Sequence, residues 1–115
     1  KIRTSLFINP TLKDIKLSKE LNVDCVEIHT GKISNLVKLK KRYSGELDRI
    51  RRCSILAKKF DIEVHAGHGL DYITTKILSK IKEIEEFNIG HFIIGESIFI
   101  GLSKVIKKFK SIIKG

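Results

Sequence analysis

The 115-residue sequence has little that would divide it: one proline, Pro10, and no Gly/Ser-rich linker, low-complexity tract or close internal repeat. With 42% hydrophobic residues it can bury one modest core, and it is too short for two domains. Cysteine is scarce. Cys25 and Cys53 show no C-x-x-C spacing, which gives a zinc site no support and leaves two buried free thiols as the expectation. No apolar run is long enough to span a membrane and no signal peptide is visible, so a cytoplasmic chain without membrane partners is expected.

Acidic residues are few, 13 against 23 basic ones, for a formal charge of +10. The basic residues gather in Lys38-Leu39-Lys40-Lys41-Arg42, Arg49 to Arg52, Lys58-Lys59 and Lys104 to Lys114. Most fall on expected helices opposite an apolar stripe, the pattern of a solvated face, with steering of anionic phosphorylated substrates as the functional alternative. Aromatic side chains do not interleave with these clusters as a single-strand binding surface requires, so nucleic acid is not an expected partner.

Periodicity predicts four strand-then-helix units. Thr4 to Ile8 alternates as a strand, and Thr11-Leu12-Lys13-Asp14 has the spacing of a capping box opening a helix to about Leu21. Val23 to Ile28, Ile62 to His65 and Glu86 to Ile89 are the further strands. Lys32 to Gly45 is expected to be a long, partly helical connection. The set Leu47, Ile50, Ser54, Leu56, Ala57 and Phe60 predicts the next helix, Ile73, Ile77, Leu78 and Ile81 another, and Leu102, Val105, Ile106, Phe109, Ile112 and Ile113 the last.

Strand alternation separates two faces. Val26, Ile28, Ile62, Val64, Phe87 and Ile89 share one, while Glu27, His29, Glu63, His65, Glu86 and Asn88 share the other. A parallel sheet covered by helices on both faces reads as continuous Val, Ile and Leu. A polar second face instead suits the lined interior of a barrel. All four histidines, His29, His65, His68 and His91, fall where an expected strand runs out. Strand carboxyl ends in a parallel α/β protein point the same way, so these side chains should converge on one site.

His68, between Gly67 and Gly69, has small neighbours that leave its ring open to a ligand, and histidine as a residue type suits proton transfer in both directions. The plain alternative is a histidine bonded to a loop carbonyl. Gly90-His91 opens a short expected helix over Phe92-Ile93-Ile94-Gly95, and a helix start is a ready phosphate cradle. Its plain alternative is a helix cap with a packed histidine. Glu27 points to the same face, where a carboxylate can balance cationic charge or simply pair with an inward Lys or Arg.

Glu27-Ile28-His29-Thr30-Gly31, Ala66-Gly67-His68-Gly69-Leu70 and Phe87-Asn88-Ile89-Gly90-His91 followed by Ile93-Ile94-Gly95, together with Ser5-Leu6-Phe7-Ile8, resemble the pyridoxine 5'-phosphate synthase family of vitamin B6 biosynthesis. The resemblance covers essentially the whole chain. It implies an α/β fold, a (β/α)8 TIM barrel of which residues 1–115 supply about the last four βα units, since a complete barrel takes about 250 residues. It implies condensation of 1-deoxy-D-xylulose 5-phosphate with 3-amino-2-oxopropyl phosphate. His68 would be the catalytic proton donor, Glu27 the carboxylate stabilising the transition state, and Gly69, Gly90 and His91 the residues binding the amino-ketone and its phosphate. No metal or organic cofactor is implied, and a homo-oligomer is.

The sequence departs from the family in four places: His65 stands where asparagine is common, Lys32-Ile33 follow Thr30-Gly31 where a tyrosine often does, Ile73 replaces a polar residue, and Glu96 replaces a small or basic one. The family's amino-terminal Asn-Asp-His segment, glutamate base, second catalytic histidine and sugar-phosphate arginines have no counterpart here. Two other classes remain open: a non-catalytic phosphate-ligand-binding fragment, and a metal-dependent barrel hydrolase using His29, His65, His68 and Glu27 as ligands.

Overall fold

The computed structural model describes residues 2–115. Four strands, β1 (Ser5–Ile8), β2 (Cys25–His29), β3 (Glu63–Gly67) and β4 (Ile84–Asn88), form one sheet in the order β1-β2-β3-β4, every pair parallel. Between them lie α1 (Leu12–Glu20), α2 (Gly31–Lys38), α3 (Ser44–Lys59) and α4 (Tyr72–Leu78), and α5 (His91–Ile100) and α6 (Leu102–Lys114) follow β4. The fold is α/β. Consecutive parallel strands cannot be joined by a tight turn, which is why each pair is separated by helix.

Local chemistry explains the punctuation. Thr11 caps α1, its Oγ1 accepting from the Asp14 N–H at 3.1 Å. Asp14 does not return to Thr11, whose N–H already donates to the Asn9 carbonyl, and accepts instead from the Asn9 N–H at 3.2 Å. Asp71 caps α4 in the same way. Two residues beyond α1, α2 and α3 the chain turns left-handed at Asn22, Lys40 and Asp61, the usual exit from a helix made here without glycine.

The apolar face is the core. Val26, Ile28, Val64 and Ala66 are fully enclosed, packed with Ile15 of α1, Ile33 of α2, Ile50, Cys53 and Ala57 of α3 and Leu78 of α4. Each large aliphatic side chain so buried contributes about 1.5–3 kcal/mol relative to exposure. Cys25 and Cys53 are buried free thiols, and burial pushes the Cys53 thiol up to about 11. On the opposite face Glu27, His29 and Glu63 are only partly covered.

Most element boundaries follow the periodicity with shifts. β2 begins at Cys25 and ends at His29, and β3 runs on to Gly67, so His65 lies inside a strand rather than at its end. β4 starts at Ile84, before the predicted Glu86, because a bulge intervenes: Val64 aligns with Ile84 and His65 with Glu86. The extra residue, Glu85, reaches Lys58 of α3 while Glu86 reaches His65. α5 is 10 residues, longer than a short turn, and buries none of them. Tyr72, Phe92 and Phe109 join α4, α5 and α6 through ring contacts of 4.7–5.8 Å. Of the α6 stripe only Val105 and Phe109 are buried, and Leu102, Ile106 and Ile113 stay exposed.

Candidate active site

Register sets the polar face in rows. Phe7 aligns with Glu27, Glu27 with His65 and His65 with Glu86; one step toward the carboxyl ends, His29 aligns with Gly67 and Gly67 with Asn88. Asn88 of the upper row and the segments beyond the strand ends form an open cleft of about 620 Å³, lined by Lys38, His68, Gly69, Asn88, Gly90 and His91 among others. Four of the five expected site residues, His68, Gly69, Gly90 and His91, thus share one cavity although they come from two segments about twenty residues apart.

His68 follows β3 directly, and its backbone is left-handed, φ +91, continued by Gly69 at +72. A non-glycine residue in that region costs on the order of 1–3 kcal/mol and is held only where its surroundings over-determine it. Its ring stacks on His29, centroids 4.5 Å apart, and Phe7 meets His29 edge-on at 5.2 Å. The Gly31 N–H donates to His29 Nδ1 at 3.1 Å, and a Cβ on Gly31 would lie 2.9 Å from His68 Cδ2. Glycine at 31 is therefore what lets the two rings meet.

Glu27 is half-buried on the polar sheet face and does not line the cleft. It pairs with no Lys or Arg among the described residues; Asn88 Nδ2 donates to its Oε1 at 2.6 Å. The carboxylate lies across Gly67, where a Cβ would overlap it and come within 3.3 Å of Asn88 Cβ. Gly67→Ala is expected to displace Glu27 while leaving β3 paired and, on the catalytic role the family resemblance implies for Glu27, to lower turnover by about tenfold or more, the cost of a small misplacement of such a group. Unchanged turnover with a displaced carboxylate in the variant's crystal structure would remove Glu27 from the chemistry.

Gly90 is the N-cap of α5 with no side-chain bond to the first turn, which contains no acidic residue. Nothing lies within 4 Å of a Cβ built at Gly90. His91 is exposed at the cleft, so it is not a packed histidine. Lys38, at the carboxyl end of α2, and Glu96 also line the cavity. Sequence periodicity gave no sign of Lys38, which only the packing of α2 brings to the site. Tyr72, beside Glu96, has its phenol pushed up first by burial and then by that charge.

His65 stands apart from the other histidines. Its Nε2 meets Glu63 Oε2 at 2.5 Å and its Nδ1 meets Glu86 Oε2 at 3.2 Å, while Arg3 reaches Glu63 at 3.0 Å. Hydrogen bonding from His65, then from Arg3, holds the Glu63 carboxyl below the usual carboxylate range. A hydrolase ligand set of His29, His65, His68 and Glu27 is not assembled. The one group of metal-site size among the described residues is Cys25, Glu63 and His65, and each is already engaged: Glu63 with Arg3 and His65, His65 also with Glu86, and the Cys25 thiol with the Thr4 carbonyl.

A family model described as pyridoxal phosphate biosynthesis protein PdxJ matches residues 1–115. The chain belongs to the PdxJ family. Among its relatives are proteins named pyridoxine 5'-phosphate synthase from Pelagibacter ubique, 69% identical over 111 residues, Zymomonas mobilis, 48% over 109, and Sulfurihydrogenibium, 46% over 112. These matches take in 96%, 95% and 97% of this chain but 46%, 42% and 45% of the relatives. The chain thus spans about half the length of the curated relatives it matches. No helix among its described residues is long and apolar enough to cross a membrane.

Proposed function

We propose that this chain is the carboxyl-terminal half of a (β/α)8 barrel and supplies the amino-ketone phosphate side of a pyridoxine 5'-phosphate synthase site. The complete enzyme condenses 1-deoxy-D-xylulose 5-phosphate with 3-amino-2-oxopropyl phosphate, releasing phosphate and water. The observation that carries this reading is the shared cleft: His68, Gly69, Gly90 and His91 line one cavity at the carboxyl ends of parallel strands. The sequential order of the sheet, its unpaired β1 and β4 edges and its polar uncovered face support a barrel completed by further strands.

Each residue has work suited to its place. The open amides of the first α5 turn and the His91 side chain would hold the substrate phosphate, aided by the positive end of the helix dipole. His68, exposed at the cleft, would deliver or accept the proton that Schiff-base formation, elimination and ring closure require. Glu27, aimed by Asn88, would balance the cationic charge of an imine nitrogen. Proton transfer by these groups supplies the steps without a metal or organic cofactor. A homo-oligomer in the cytoplasm is the expected setting.

The direct test joins this chain to the amino-terminal part of its 69%-identical relative, replacing the matched 111 residues. The fused protein should form pyridoxine 5'-phosphate from the two substrates. Substrate binding without product formation would favour a non-catalytic phosphate-binding role instead. In the same protein Gly90→Val probes the phosphate. No protein atom lies within 4 Å of a Cβ there, and a loss confined to the amino-ketone phosphate reports on the ligand rather than on the fold. Affinity for the amino-ketone phosphate should fall about tenfold, the scale of one charge-assisted hydrogen bond. Calorimetry showing loss confined to the sugar phosphate would reverse the two phosphate assignments.

A further inference from the structure

The left-handed turn at His68 needs something to hold it, and β2 supplies the holder. Thr30, immediately after β2, is completely buried. Its hydroxyl donates to two carbonyls, Gly67 O and His68 O, each at 2.8 Å, and its backbone N–H donates to Gly67 O at 2.9 Å. One hydroxyl proton is thus shared between successive peptide units of the turn whose φ is positive at both His68 and Gly69. The anchor is itself fixed, because Ser34 of α2 donates its hydroxyl to the Thr30 carbonyl at 2.8 Å. A Cβ on Gly69 would lie 3.2 Å from Ser34 Cβ, so the turn sits directly on this pair.

We infer that Thr30 is the positioning residue for His68: its buried hydroxyl fixes the strained turn that presents the imidazole to the cleft. The inference rests on the proton-transfer role proposed for His68. It makes the Thr30-Gly31 and Gly67-His68-Gly69 segments one device. Thr30 and Ser34 hold the backbone from below, and Gly31 leaves room for the His29 ring against which His68 stacks. A free Thr side chain in a helix-start position would cap its own helix, but Thr30 makes no such bond to α2. Its hydroxyl is spent on the neighbouring strand's turn instead.

Thr30→Val keeps the volume and removes the hydroxyl. In the fused protein it should lower kcat about 10–100-fold, the cost of a misplaced reacting group, with little change in either KM. Thr30→Ser, which keeps the hydroxyl, should restore most of the loss. If Thr30 acts through His68, Thr30→Val should cost nothing further in a His68→Ala background. A crystal structure of the Thr30→Val protein should show His68 out of the left-handed region, and Thr30→Ala gives the same readout should valine prevent folding. Equal losses in both backgrounds, or an unchanged turn, would overturn the inference. Full turnover by His68→Ala would instead sink the role proposed for His68, and the φ of residue 68 in the Thr30 variant would still decide whether Thr30 holds the turn.

Discussion

His68→Ala in the fused protein should lower turnover by about 10²–10⁴-fold, the range for removing a positioned proton-transfer group, with circular dichroism unchanged. The fold should tolerate the change because His68 is exposed and its ring contributes only the stack on His29. A companion variant separates chemistry from backbone. His68→Gly relieves a left-handed φ of +91 and should raise the melting temperature while losing the same activity. A site whose most strained residue is dispensable for folding and needed for turnover is one where strain serves function. Near-normal turnover by either variant would take His68 out of the mechanism.

The second large effect concerns the 115-residue chain by itself, which should not behave as a compact monomer. Its sheet ends in two unpaired edges, β1 and β4, each offering a row of backbone donors and acceptors. Apolar surface accompanies them: Phe7 on β1 is 57% exposed, and on α5 Ile94, Ile98 and Phe99 are 67%, 78% and 83% exposed. An apolar helix with no buried residue is stable only when something covers it. The isolated chain should therefore self-associate in light scattering, and, on the half-barrel reading, addition of the amino-terminal part of its 69%-identical relative as a separate chain should restore a defined species. A sharp, cooperative melt from a species shown to be monomeric would contradict the half-barrel reading.

Much of this was legible in sequence. The period-2 alternation that put Glu27 and His29 opposite Val26 and Ile28 survives folding because one face must be dry, and a one-residue slip would bury the carboxylate. The α1 cap at Thr11 was legible for the same local reason: a hydroxyl three residues before an acidic side chain satisfies open helix amides. The glycine-bracketed His68 and the Gly90-His91 helix start were also visible, because their signals lie within a few residues of one another.

What failed were features that depend on partners far along the chain. His65 looked like another strand-end histidine, but β3 continues to Gly67, and the bulge in β4 swings Glu86 onto its ring. A bulge is set by the strand alongside and leaves no mark in its own periodicity. Lys38 joined the cleft through the packing of α2 beside the His68 turn, a matter of helix orientation. Thr30 was part of a visible motif, yet its task was hidden: the carbonyls it binds belong to residues 67 and 68, 37 and 38 positions away.

The sequence by itself determined the parallel α/β character, the partition of the sheet into apolar and polar faces and the strand-end placing of His68 and Gly90-His91, because each follows from short-range spacing and hydrophobicity. Tertiary structure alone decided which glycines are needed for fit and which face open space. At Gly67 a Cβ would strike Glu27, and at Gly31 it would enter the stacked histidines, whereas Gly90 faces open space. All three are the same letter in the chain. They differ only in what the fold brings up against them, since steric exclusion acts between atoms near in space however distant in sequence.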